Sequence, residues 1–256
     1  MKVFDKYSQY YDLIYRDKNY PEEVRFVEKI LKKFSKKKTT NIISLGCGSG
    51  NHDIILAKKG YRIFGIDKSE TMLSIFQEKI VKSGLKGKIS LAKADVAKFK
   101  TPHKFDCALS LFNVVGYQTE NESFEGMLKS INRSLTKGGL LMFDCWHAPA
   151  VLKDKPTDRV KEINVGERKI IRITKSELDI TKNIIAITFK VLEIVNSKIK
   201  EAITETHLMR YWSIPELTYF LGKSGFRIEK VCNFLNLKSS ASDDKWDIFI
   251  VARKIK

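Results

Sequence analysis

The chain has 256 residues and a mass of 29.5 kDa, enough for one α/β domain with a substantial insertion or for two small domains. Hydrophobic residues make up 43% and charged residues 30%, a globular balance that excludes a membrane-spanning or low-complexity protein, since no window approaches the ~18 apolar residues of a span. The formal charge of +17 raises the question of a nucleic-acid partner.

The first residues, MKVFDKYSQYYDL, carry acids and lack an apolar core, so they do not read as a signal peptide, and the chain is expected in the cytoplasm. Tyr7 to Tyr20 is packed with tyrosines; Tyr7, Tyr10, Tyr11, Ile14 and Tyr15 fall near helical spacing, which suits a packing helix, a lid over the site, or both. Pro21 starts a helix over Glu22 to Phe34. The lysine run Lys32 to Lys38 sits at its end, where cations suit the helix dipole, and reads as a solvated turn.

Asn41 to Asn51, NIISLGCGSGN, is the richest stretch. A short apolar strand opens into Gly46, Gly48 and Gly50, which allow a sharp turn and close approach to a ligand. The pattern is G-x-G-x-G rather than the dinucleotide G-x-G-x-x-G, and Asn51 stands where a glycine is wanted. This points to an adenosine cofactor other than NAD. A helix Ile54 to Lys59 and a strand Tyr61 to Asp67 follow. Asp67, at that strand's tip about 20 residues past the turn, is placed for ribose hydroxyls. A helix Thr71 to Lys82 and a third strand ending at Asp95 come next. The fourth strand is Phe105 to Leu111; Ser134 to Gly139 reads as a helix stop and turn before a fifth strand, Leu140 to Cys145. The excursion Trp146 to Trp212 holds four β-rich segments separated by turn residues, an antiparallel sheet of three or four strands. A helix Ile214 to Ser224 and strands Arg227 to Phe234 and Trp246 to Arg253 close the chain. The four cysteines show no C-x-x-C spacing and read as reduced core thiols, with no metal site.

In their order and spacing, LGCGSG, GID, Lys93-Ala94-Asp95, FDCALSLFN and LTKGGLLMFD resemble the class I S-adenosylmethionine-dependent methyltransferases, from about Asn41 to Trp146. The resemblance implies a Rossmann-like, doubly wound α/β sheet of seven strands, mostly parallel with an antiparallel last strand, and an inserted antiparallel sheet. It implies an N-terminal segment 1–38, a cofactor domain 39–146 and 213–256, and an insertion 147–212 on the substrate side. The cofactor implied is S-adenosylmethionine. Gly46, Gly48 and Gly50 would approach its methionine part, Asp67 its ribose, and Asp95 with Val96 its adenine, with Leu111 and Phe112 on the methionyl side. Tyr11, Tyr20, Cys47, His52, Lys68 and Met72 join the cofactor set.

YDLIYRDKNY, SLFNVVGYQT, FDCWHAP and HLMRYW are similar to the N,N-dimethyltransferases of nucleotide-linked amino sugars and to related surface-glycan enzymes. A stretch rich in glycine in those enzymes is replaced here by Asn236 to Asp247. By that likeness Tyr15 lies beside the transferable methyl and Tyr117 faces the acceptor. His147, after strand five, is the candidate base; Arg16, Trp146, His207 and Arg210 are candidates for holding a small anionic acceptor. A specific nucleic-acid partner is not expected, because lysine greatly outnumbers arginine and no NPPY-type loop follows strand four. The alternatives are a nucleic-acid methyltransferase or binding module, and an NAD-dependent oxidoreductase. A monomer or homodimer is expected.

Overall fold

A computed structural model describes residues 3–256; Met1 and Lys2, the start of the expected N-terminal segment, lie outside the described residues. Strands β1 (Asn41–Leu45), β2 (Arg62–Asp67), β3 (Ile89–Lys93), β4 (Phe105–Ser110), β5 (Leu135–Trp146), β10 (Phe226–Asn233) and β11 (Asp247–Lys254) form one seven-stranded sheet, ordered β10-β11-β5-β4-β1-β2-β3. β1 pairs in parallel with β2 and β4, while β11 runs antiparallel to both β5 and β10. This is the doubly wound sheet expected, with its antiparallel last strand.

Successive residues of the central strands serve opposite faces. Ile42, Cys107 and Leu109 pack beneath α2 (Tyr20–Phe34), α3 (Asn51–Lys58) and α4 (Glu70–Lys82). Ile43, Ala108, Leu141 and Phe143 pack beneath α5 (Asn121–Ser134) and α7 (Ile214–Lys223). Burial on both sides is why these strands read as unbroken apolar runs rather than alternating ones. Asn19 caps α2, its side chain accepting the Glu22 N–H at 3.1 Å.

β5 begins earlier than expected. Leu135 already pairs with Phe105, and the Thr136 to Gly139 segment forms a bulge before Leu140 pairs with Cys107. Gly138 has φ +77°, and a Cβ on Gly139 would lie 3.0 Å from the Thr136 carbonyl oxygen. The glycines therefore shape a bulge inside the strand, not a turn ahead of it. α3 also starts three residues before the expected Ile54, directly on the glycine turn.

After β5 the chain makes a short helix, α6 (Ala148–Lys153), unforeseen in the sequence, and then the inserted sheet: β6 (Arg159–Val165), β7 (Arg168–Asp179), β8 (Ile184–Val195) and β9 (Lys198–Arg210), paired in that order and antiparallel. The excursion leaves and returns at one point, where Trp212 N–H donates to the Trp146 carbonyl and Ala148 N–H to the Trp212 carbonyl, both at 2.8 Å. Helix α1 (Ser8–Ile14) lies on the inner face of this sheet, with Tyr7, Tyr10 and Ile14 against Ile163, Ile170, Val191 and Ile203. Cys107, Cys145 and Cys232 are buried, and none of the four cysteines is paired. Among the described residues no helix is long and apolar enough to cross a membrane.

Candidate active site

The glycine turn joins β1 to α3. Gly46, Gly48 and Gly50 all have left-handed φ, at +63°, +52° and +76°. A Cβ on Gly46 would lie 2.5 Å from Val114, and one on Gly50 would lie 2.1 Å from Phe76, so the turn is pressed between the loop after β4 and helix α4. Above Gly48 a Cβ would meet nothing within 4 Å. The turn is packed on its flanks and open in the middle.

Asp67, at the tip of β2, holds that opening in shape. One carboxylate oxygen accepts the Gly48 N–H and the other the Ser69 N–H, each at 2.8 Å. Burial raises its pKa, opposed by these N–H bonds. Asp95, at the next strand end, accepts the Ala97 N–H at 2.9 Å and pairs with exposed Lys68 at 3.4 Å. Val96 and Met72 are buried beside these two strand tips, Met72 in the first turn of α4. All of them stand along the C-terminal sheet edge, where doubly wound folds bind ligands.

Helix α1 is tied to the same turn by Asp12, which sequence reading did not single out. Its carboxylate accepts from Ser49 Oγ at 2.6 Å and Asn51 Nδ2 at 3.0 Å, and pairs with Lys79 at 2.6 Å. His52 bonds Glu23 at 2.6 Å, Tyr20 meets the His52 ring edge-on at 4.8 Å, and Lys18 pairs with Glu23 on its other oxygen. His52 thus braces α3 against α2. Burial lowers its pKa, and Glu23 opposes that.

The wall facing the turn is aromatic. Tyr11 and Tyr15 are 4.9 Å apart, and Tyr15 meets Phe112 edge-on at 5.0 Å. Lys18 Nζ lies 4.3 Å from the Phe112 centroid, so this wall already receives a cation. Phe112 and Asn113 are consecutive non-glycine residues in left-handed conformation, at φ +68° and +54°. Such strain persists only when the surroundings enforce it. Here Asp144 of β5 enforces it, one oxygen accepting the Phe112 N–H at 2.7 Å and the other the Asn113 N–H at 2.8 Å. Asp144 is 2% exposed, and burial pushes its pKa up to about 7. A lone acid inside the apolar run LLMFDCW was the available signal for it.

Tyr117 ends a 3-10 turn, Val114–Tyr117, and its hydroxyl lies 2.7 Å from His207 Nδ1. Phe4 packs against Tyr11, Tyr117 and His207, closing the aromatic group from the N-terminal side. His207 is 1% exposed and burial lowers its pKa to about 4, so at neutral pH it is an uncharged ring orienting Tyr117 rather than the cation expected.

Arg210 is already engaged at both Nη atoms: its guanidinium donates to the Thr119 carbonyl at 3.3 Å, Asn121 at 2.8 Å and Glu216 at 3.0 Å, and lies over Trp212 at 4.1 Å, with only Nε left without an acceptor. These bonds tie β9 to α5 and α7. His147 is buried at the start of α6, with its backbone N–H on the Trp246 carbonyl at 2.7 Å, and burial lowers its pKa. The ring stands in the neck of the insertion, its Nδ1 without a partner. Arg16 is exposed on the rim, 3.5 Å from the Asn164 carbonyl and 3.7 Å from Asp17. Trp146 stays at the end of β5, edge-on to Trp246 at 5.5 Å.

Residues 42–139, which contain the glycine turn, both strand-tip acids and the strained loop, match the family model described as a methyltransferase domain. Over that segment the chain is similar to methyltransferase domains. Around it, a Bacillus subtilis protein provisionally named as a methyltransferase is 25% identical over 99% of this chain and 98% of its own length. A provisionally named methyltransferase of Geobacillus is 28% identical over 56% of this chain; the match spans only 57% of that relative. Among solved structures, an S-adenosylmethionine-dependent methyltransferase from Clostridium acetobutylicum superposes with TM-score 0.81 at 18% identity, covering 98% of this chain and 99% of the other. An amino pentose methyltransferase from Micromonospora echinaspora, solved with S-adenosylmethionine bound, gives 0.74 at 17% identity over 99% and 98%. At such identities the superpositions show a shared fold, over nearly the whole of both chains.

Proposed function

We propose that this protein binds S-adenosylmethionine above the glycine turn and transfers its methyl group to a small anionic acceptor, a nucleotide-linked amino sugar or a surface-glycan precursor. One arrangement carries the reading: a left-handed Gly48 bonded to Asp67, open above, and faced by the Tyr11, Tyr15 and Phe112 wall. The site fits a sulfonium cofactor, because the wall accepts the Lys18 cation and an acid stands at each of two strand tips. When bound, the cofactor supplies an electrophilic methyl on positively charged sulfur.

The chain's own residues then have distinct tasks. Gly46, Gly48 and Gly50 admit the methionine part, Asp67 holds the ribose, and Asp95 with Val96 meets the adenine. Asp144 fixes Phe112, and Asp12 fixes α1, so the Tyr15 ring and the Tyr117 hydroxyl are held against the acceptor. Orientation of this kind is worth up to ~7–11 kcal/mol. The sugar reading is supported by the inserted sheet shared with the amino pentose methyltransferase. It is also supported by the net positive charge, which favours a phosphorylated acceptor.

Titration calorimetry with S-adenosylhomocysteine tests the cofactor half: binding is expected, and Asp67→Ala should weaken it by more than ~1 kcal/mol. Binding of NAD in its place would overturn the reading. A screen of nucleotide sugars against free amines, phospholipid headgroups and peptides, read by S-adenosylhomocysteine release, tests the acceptor half.

A further inference from the structure

Arg172 stands on β7, on the inner face of the inserted sheet. Its Nη1 donates to the Tyr15 hydroxyl at 3.1 Å and the Tyr7 hydroxyl at 3.3 Å. The guanidinium carbon lies 5.5 Å from the Tyr15 ring centroid and 5.3 Å from that of Phe189. Its Nε is buried and has no acceptor. Among the described residues no carboxylate pairs with it. Arg168, on the same strand, takes Glu193 at 2.7 Å, and Glu205 is engaged by the Phe4 and Tyr7 backbone N–H groups.

A guanidinium held between aromatic rings with a donor unmet and no counter-charge is an incomplete constellation. A planar fork of donors is built for two oxygens of one anion, and neighbouring hydroxyls complete such a site. Tyr15 spans the two halves: its ring rests on Phe112, and its hydroxyl rests on Arg172. An anion on the guanidinium therefore lies one tyrosine away from the methyl-transfer wall.

We infer that Arg172, with the hydroxyls of Tyr7 and Tyr15, is an oxyanion site in the roof of the cleft that takes a phosphate group of the methyl acceptor. The inference rests on the methyltransferase reading and gives its acceptor a recognition point, in place of the engaged Arg210 and the uncharged His207.

The test is calorimetry on the full chain saturated with S-adenosylhomocysteine, titrated with inorganic pyrophosphate, then phosphate, then acetate. Pyrophosphate should bind, acetate should not, and Arg172→Gln should weaken pyrophosphate by about tenfold or more while Arg172→Lys weakens it less. S-Adenosylhomocysteine affinity should stay within about twofold in both variants. Unchanged pyrophosphate binding in Arg172→Gln, no anion binding by the wild type, or acetate binding as well as phosphate would each overturn the inference. Loss of S-adenosylhomocysteine affinity in Arg172→Gln would assign the guanidinium to the cofactor carboxylate and also overturn it. If the wild type fails to bind S-adenosylhomocysteine, it is the methyltransferase reading that falls. Should Arg172→Gln not fold, Tyr7→Phe and Tyr15→Phe remove only the hydroxyls, and unchanged pyrophosphate affinity in both would overturn the inference.

Discussion

Asp144 and Asp53 are buried acids with opposite fortunes. Asp144 spreads its two oxygens over two strained N–H groups, so Asp144→Ala should leave the Phe112 and Asn113 amides unpaired and cost about 2–4 kcal/mol in chemical denaturation. Asp144→Asn, which keeps one acceptor, should cost less. Asp53 of α3 is 2% exposed; one oxygen accepts from Ser44 Oγ at 3.1 Å and the other has no partner among the described residues. Burial pushes its pKa up to about 7. Between about pH 4 and 7 the folded protein holds a proton that the unfolded chain has released, so this residue makes stability fall as pH rises. Asp53→Asn should therefore stabilise the protein at pH 8 by about 2 kcal/mol, with the gain vanishing below about pH 4. Equal melting temperatures for the two proteins at pH 8 would contradict this.

Helix α1 has no side-chain cap of its own and no acid in its first turn. Glu205 supplies both from across the fold, one oxygen on the Tyr7 N–H at 3.0 Å and the other on the Phe4 N–H at 2.8 Å. Glu205→Ala should release the segment before α1, giving faster limited proteolysis there and several-fold weaker S-adenosylhomocysteine binding. Intact protection in that variant would show that the apolar contacts of Tyr7, Tyr10 and Ile14 hold α1 unaided. Contacts of this reach mark the boundary of what was legible in the sequence. The strands, the glycine turn, Asp67 and Asp95 follow from local period and strand-tip position, and the inserted sheet from β-branched segments between turns. Asp12, Asp144, Arg172 and Glu205 have partners far along the chain, so no local pattern announces them. For His147 and Arg210, position along a strand places a residue near the cleft but does not say which neighbours already hold it. The early start of β5 was missed because a bulge and a turn use the same glycines.

At the scale of the molecule, the excess of positive charge is the feature most open to a rival reading. Lys32 and Lys33 close α2, and Lys36, Lys37 and Lys38 are exposed beyond it, a solvated run rather than a groove. Association with tRNA or duplex DNA should be weak and should fade by ~0.2 M salt, as counterion release requires. Tight binding surviving that salt would favour a polymer substrate. The neck of the insertion has a different consequence. The chain departs at Trp146 and comes back at Trp212 through one backbone-paired crossing, so the insertion meets the main sheet at a single neck, while α1 and the Arg210 bonds tie it to the rest of the molecule. Under the proposed function, a chimera grafted at those two tryptophans and carrying α1 along with the inserted sheet it packs on should move acceptor choice while S-adenosylhomocysteine binding stays with the sheet beneath.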